Sequence, residues 1–161
     1  MASFRSNPLK PHIIMKHTIA EIIETKGGEV HSTTPTATAR EAVRKMNAAK
    51  IGSLLVIHHG EPVGILTERD ILVRVIDAGK DPDSTAVHEI MSSSLLTIKP
   101  STGIDDTMKI MTDKRCRHIP VMEGGAVCGL VSIGDLTRWH VRNHEIYIDT
   151  LLDYIGGTYP G

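Results

Sequence analysis

The sequence of 161 residues has few aromatic side chains, which make up 3% of it, and only two cysteines, Cys116 and Cys128. Its core is therefore expected to consist of Ile, Leu, Val, Met and Ala. There is no Cys-x-x-Cys pair and no Cys/His cluster, which argues against a disulfide framework or a metal site. We interpret both thiols as small buried hydrophobic groups in a reducing compartment.

Excess charge and long apolar runs are also missing. The net charge is −1 with neutral histidines, so the basic surface typical of nucleic-acid binding is not indicated. No apolar run approaches the roughly 18 residues of a membrane-spanning helix. The sequence contains no Ser/His/Asp nucleophile elbow and no Walker or Rossmann glycine pattern. We therefore expect a protein that is not an enzyme and that binds neither nucleic acid nor membrane.

The sequence does contain an internal repeat. The segment GILTERDI at 64–71 returns as GLVSIGDL at 129–136, and the same offset of 65 residues carries Pro35 onto Pro100. Such a repeat largely determines the architecture. It also means that a site found in one copy should be sought in the other.

Apolar periodicity predicts the order β-α-β-β-α in each copy, preceded by a short helix that we call the lead-in helix. The lead-in helices align at an offset of 68, which places Glu21 on Glu89. One copy of about 60 residues is marginal alone. We expect the two to pack sheet to sheet around one core, related by a pseudo-twofold axis. The predicted divisions are a flexible tail 1–17, a first repeat 18–80, a second repeat 81–142, and a C-terminal helix and tail 143–161.

The pattern Gly-apolar-apolar-Thr/Ser-x-x-Asp that closes each copy, together with RHIPVMEGG at 117–125, resembles the cystathionine-β-synthase (CBS) domain family. A tandem pair of these domains is called a Bateman module, and the resemblance covers about residues 18–142. The segment IGSLLVIHHG at 51–60 departs from the family by lacking the proline often found at the position of Leu55. The resemblance implies an α/β (α+β) fold and a stand-alone two-CBS protein.

The family also implies a ligand: AMP, ATP, ADP, NAD(H) or S-adenosylmethionine. In that family the motif aspartate holds both ribose hydroxyls and the Thr/Ser meets the phosphate. The matching residues are Thr67 and Asp70 in the first copy and Ser132 and Asp135 in the second. A Thr or Ser at the N-cap places free backbone N–H groups near an anion, and a carboxylate can accept two hydrogen bonds from a cis-diol. Thr-x-x-Asp is, however, also an ordinary capping box.

The two predicted clefts are not equivalent. Arg117 and His118 precede a strand of the second copy, where family members often place basic residues on phosphates, whereas the aligned residues of the first are Gly52 and Ser53. We therefore expect the second cleft to be the more cationic, with Arg69 as the residue able to compensate in the first. The alternative is that Arg117 is a solvated charge on the rim.

These inferences predict a non-catalytic regulatory module that binds an adenosine nucleotide, with Ile51 and Cys116 either lining the adenine pocket or belonging to the core. The module is expected to signal to a separate, unknown protein by a population shift, and to form a homodimer to which aliphatic residues in 146–155 contribute. The alternatives are a nucleotide-free dimerisation or scaffolding module and an S-adenosylmethionine sensor. We expect it in the cytoplasm, or in an organellar matrix if residues 1–17 are a targeting remnant.

Overall fold

The computed structural model describes the backbone of residues 16–155 and the side chains of residues 16–144. Most of the predicted N-terminal tail, the end of the C-terminal tail and the side chains proposed for a dimer interface at 146–155 lie outside these limits. No helix in the described part of the chain has the length and apolarity needed to cross a bilayer.

The first repeat follows the predicted order of elements. Its elements are α1 (Ile19–Lys26), β1 (Ser32–Thr33), α2 (Ala39–Ala49), β2 (Ser53–His58), β3 (Glu61–Thr67) and α3 (Glu68–Ile71). A π-helical segment, Leu72–Asp77, continues α3 where one α-helix was expected. The pattern of apolar residues does not separate the two forms over one or two turns, because both bury one face.

The second repeat copies the first closely. It contains α4 (Val87–Ile90), α5 (Ile104–Lys114), β4 (His118–Glu123), β5 (Ala126–Ser132) and α6 (Ile133–Ile155). The antiparallel hairpins β2–β3 and β4–β5 share their register, and each has its irregularity at the equivalent place, after Val56 and after Val121. The parallel strand β1 has a single bridge, Ile98 to Val121, as its counterpart. The mixed α+β fold with two equivalent repeats is therefore confirmed.

The lead-in helices exchange partners. The N–H of Ile19, in α1, donates to the carbonyl of Thr102 in the second repeat at 2.9 Å. The equivalent bond runs the other way, from the N–H of Val87 in α4 to the carbonyl of Ala37 in the first repeat, at 2.8 Å. Swapping the two repeats carries one bond onto the other, which is what a pseudo-twofold relation requires.

The exchange produces two hydrophobic cores, and the expectation of one shared core is wrong. Ile19 and Ile22 of α1 pack with β4, β5, α5 and α6, whereas Val87 and Ile90 of α4 pack with β2, β3 and α2. The physical reason is that a hairpin covered by its own helices still leaves apolar surface open, and the helix from the other repeat closes it.

Candidate functional site

A cleft of about 560 Å³ lies between the two repeats. It is bordered by the start of α3, by the segment that follows α4, and by the residues that precede β4. The lining residues are Gly52, Ile65, Thr67, Glu68, Arg69, Asp70, Leu72, Ser92, Ser94, Leu95, Leu96, Arg115, Cys116, Arg117 and His118.

Asp70 uses one of its two carboxylate oxygens for helix capping. The backbone N–H and the hydroxyl of Thr67 both donate to Asp70 Oδ2 at 2.9 Å, and the N–H of Asp70 donates to Thr67 Oγ1 at 3.3 Å. The nearest cation to Oδ1 is Arg74 Nε at 3.7 Å, which is too far for a hydrogen bond. Among the described residues Oδ1 accepts no hydrogen bond, so the capping box leaves one oxygen for a ligand.

The cations of this cleft come largely from the opposite repeat. Arg115, Arg117 and His118 face the Thr67/Asp70 motif, together with Arg69 from the first repeat. Arg115 is the left-handed C-cap of α5, with φ 53°, and this turn leads the chain along the cleft.

The expectation that the first cleft lacks local cations is therefore wrong. The repeat alignment shows which strand Arg117 and His118 precede, but it does not show which cleft that stretch of chain faces. In the folded protein it lines the cleft that holds the motif of the other repeat, and it also remains the strand neighbour of Ser132 in its own.

His118 is a partly buried imidazole whose pKa lies below the usual 6.5. Burial is the main cause, since it disfavours the charged form, and Lys26 and Arg117 act in the same direction. The carboxylates of Asp135 and Glu68 oppose the shift without cancelling it. In the free protein His118 is therefore mainly neutral at pH 7.

The second motif has the same local geometry but different surroundings. The N–H and hydroxyl of Ser132 donate to Asp135 Oδ2 at 2.8 and 2.9 Å. Lys26 Nζ lies 2.8 Å from the same oxygen, and the guanidinium of Arg138 bonds to Oδ1. Burial opposes ionisation of Asp135, but the bonds from Lys26 and Ser132 outweigh it and keep its pKa below the usual 3.8.

The predicted grouping around this second motif is found only in part: His118 pairs with Ser132 across the β4–β5 hairpin, and the charge of Asp135 acts on its imidazole. Asp135 borders a pocket of about 330 Å³ that Lys26, Arg138 and Trp139 help to line, and neither Arg117 nor His118 is part of its lining. The structure thus brings Thr67, Asp70, Arg69, Arg117 and His118 to the lining of one cleft, whereas Asp135 borders a different pocket.

The two candidate adenine residues divide between core and cleft. Ile51 packs against the core formed by β2, β3 and α2 and is not part of the cleft lining, whereas Cys116 lines the cleft and also contacts the core formed by β4, β5, α5 and α6. Burial raises the pKa of the Cys116 thiol, and both cysteines are free.

Sequence reasoning missed Arg115, Glu68 and the segment 92–96. A signal for Arg115 existed in the repeat, because the offset of 65 aligns it with Lys50 and both residues are basic. The structure shows that both are left-handed C-caps.

Comparisons with known proteins agree with this architecture. The CBS domain family profile matches residues 19–77 and 87–142. The mitochondrial CBS domain-containing protein CBSX3 of Arabidopsis thaliana is 37% identical over 151 residues, which is 88% of this chain and 73% of that protein.

Two solved structures show the same fold. A CBS-domain containing protein of Agrobacterium tumefaciens superposes with a TM-score of 0.73 at 31% identity, covering 76% of this chain and 98% of the other. A hexameric CBS-CP12 protein of bloom-forming cyanobacteria gives a TM-score of 0.69 at 30% identity, covering 76% and 67% of the two chains. The chain therefore belongs to the CBS domain family, of which it carries a tandem pair.

Proposed function

We propose that this CBS pair is a non-catalytic regulatory module that binds an adenosine nucleotide in the cleft between its repeats. AMP is the first candidate, with ATP, ADP and NAD(H) as further ones. The observation that carries the proposal is the meeting of Asp70, which has an unused carboxylate oxygen, with the guanidinium groups of Arg69, Arg115 and Arg117.

The chemistry of the cleft suits the three parts of a nucleotide. Its volume of about 560 Å³ falls in the range of about 300–1,000 Å³ that is typical of small-molecule sites. Asp70 Oδ1 can accept from ribose hydroxyls, and arginine pairs with phosphate through two parallel hydrogen bonds. Leu95 and Leu96 supply apolar surface for a base.

The charge balance favours a phosphate over S-adenosylmethionine. Three arginines and two carboxylates, Glu68 and Asp70, line the cleft, and His118 adds positive charge when it is protonated. A phosphate gains from this excess of positive charge, whereas the sulfonium of S-adenosylmethionine is repelled by it.

A ligand in this cleft touches both repeats, and this provides a route to regulation. A nucleotide that binds one arrangement of the repeats better than another shifts the population towards that arrangement. We propose that a separate protein reads this shift and that the module pairs with a second copy of itself. The mitochondrial location in the name of CBSX3 supports an organellar matrix over the cytoplasm as the compartment.

Thermal unfolding with and without AMP distinguishes this function from that of an empty scaffold. A ligand that binds only the native state, at 100 times its Kd, stabilises it by about 2.7 kcal/mol. We expect the unfolding midpoint to rise with AMP concentration, and to rise less with the same concentration of inorganic phosphate or S-adenosylmethionine. A midpoint that ignores AMP would support the nucleotide-free scaffolding module instead.

A further inference from the structure

The two motif aspartates differ in how fully their oxygens are occupied. Asp135 Oδ2 accepts from the N–H and hydroxyl of Ser132 and from Lys26 Nζ, and Asp135 Oδ1 accepts from Arg138. An ionised carboxylate offers about four lone-pair sites. Oδ2 accepts three of these bonds and Oδ1 accepts one, so at most one position, on Oδ1, stays open, and a ribose diol needs two.

Among the side chains that the structure describes, Asp70 has only the two donors that Thr67 provides, and both act on Oδ2. Its neighbour Arg74 does not replace Lys26, because Arg74 Nη1 donates to the carbonyls of Ile90 and Met91 at 2.8 and 2.9 Å. These bonds direct the guanidinium towards α4, and they leave Arg74 Nε 3.7 Å from Asp70 Oδ1.

The difference originates at two positions of the repeat. At the lead-in offset of 68 the counterpart of Lys26 is Ser94, which is exposed and lines the cleft of Asp70. At the main offset of 65 the counterpart of Arg138 is Val73. Both cations that hold Asp135 are therefore replaced by uncharged residues around Asp70.

We propose that Lys26 and Arg138 close the second motif to nucleotide, so that the chain binds one nucleotide, at Asp70, and carries a latent second site at Asp135. This inference rests on the proposed function and specifies how many of the two motifs serve it. It assigns to Lys26 and Arg138 a role in selecting between the motifs.

The competition between donors explains why ribose does not displace these cations. Hydrogen bonds from ammonium or guanidinium to carboxylate are roughly twice as strong as those between neutral groups, and ribose hydroxyls are neutral. Lys26 Nζ also donates to the carbonyl of Leu130 at 2.8 Å, so its removal breaks two bonds. The side chain of Asp135 is 5% exposed, against 13% for Asp70, so a ligand reaches it less easily.

Calorimetric titration with AMP tests the closed motif directly. The wild-type protein is expected to bind one AMP per chain. The double variant Lys26→Ser with Arg138→Val, which copies the Asp70 surroundings onto Asp135, is expected to bind two. Adding Asp135→Asn to that variant should return the number to one, which assigns the new site.

The reciprocal exchange tests the same idea in the other cleft. Ser94→Lys places a cation where the repeat relation puts Lys26, and it is expected to weaken AMP binding at Asp70 at least tenfold. Ser94→Met is the control, because it adds similar length without charge and should change the affinity several-fold less. Ser94 is exposed, so this arm does not depend on the folding of the double variant.

The outcomes separate this inference from the proposed function. Two AMP per chain in the wild-type protein, or an unchanged number in the double variant, overturns the closed motif and leaves binding at Asp70 in place. If the double variant binds AMP and the wild-type protein does not, the closed motif is supported and Asp70 is not a binding site. Absence of AMP from both proteins contradicts both proposals, and stronger or equal binding by Ser94→Lys contradicts the closed motif.

Discussion

His118 shows how one partly buried side chain links the cleft to stability. Its pKa is below 6.5 in the folded protein, mainly because burial disfavours the imidazolium. The unfolded chain, with the ordinary value, therefore binds this proton first as the pH falls. By linkage, the stabilising contribution of neutral His118 is complete above about pH 6.5 and decreases at lower pH.

The free energy of unfolding is therefore predicted to decrease between pH 7 and pH 5, and His118→Gln should make this decrease smaller. Urea denaturation at several pH values measures it. His58→Gln, a change at the exposed end of β2, is the control and should follow the wild-type slope. An unchanged slope in the His118 variant would show that burial of this imidazole does not contribute.

The lead-in helices are the elements whose placement matters most for the site. Each belongs by sequence to one repeat and packs in the core of the other, so α1 brings Lys26 to Asp135 and the chain after α4 brings Ser94 to the cleft. A unit with this exchange cannot be divided into two independent halves. The repeat boundaries at 18–80 and 81–142 remain a prediction made from the sequence.

Ile19, which is fully buried, gives a test of the exchange. Ile19→Ala is predicted to lower the free energy of unfolding by about 2–5 kcal/mol, the usual cost of such a cavity. Combined with Val121→Ala, in the same core, its effect should be non-additive, because residues in one packed cluster are coupled. Combined with Val56→Ala, the equivalent change in the other core, the effects should add. Equal coupling in both pairs would contradict the separation of the cores.

The repeat, the hairpins, the long helices and the capping role of Thr67 could be predicted from the sequence, because they depend on local periodicity and short-range hydrogen bonds. The two cores and the cleft that Arg117 lines could not be predicted, because they depend on which repeat a segment packs against. Lys26 carried no signal at all: its contact with Asp135 joins residues far apart in the chain, and the motif itself is complete without it.

On the scale of the whole molecule, the surface carries a group of exposed apolar side chains. Leu72, Val73 and Ile76, in the π-helical segment, are 61%, 51% and 62% exposed. The spacing of 72, 73 and 76 places them on one side of a helical turn, and apolar groups concentrated in this way are typical of interaction surfaces. The proposed homodimer would cover Val73 and Ile76, while Leu72 also borders the nucleotide cleft.

Light scattering at micromolar concentration is therefore expected to give about twice the chain mass of 17.6 kDa. Ile76→Glu should lower this value towards that of the monomer, since a carboxylate inside an apolar interface is costly to desolvate. Asn47→Glu, on the exposed side of α2, adds the same charge elsewhere and should leave the mass unchanged. A monomer in the wild-type protein would refute pairing through this surface.

The most direct test of the account is calorimetric titration of AMP into Asp70→Asn, with Asp77→Asn as the matched control. Both variants lose one carboxylate charge, but Asp77 is not part of the cleft lining. Hydrogen bonds to a charged group contribute about 1.5–3 kcal/mol, so Asp70→Asn should bind AMP roughly ten- to a hundred-fold more weakly, while Asp77→Asn binds like the wild-type protein. Equal AMP affinity in the two variants would contradict nucleotide recognition by Asp70.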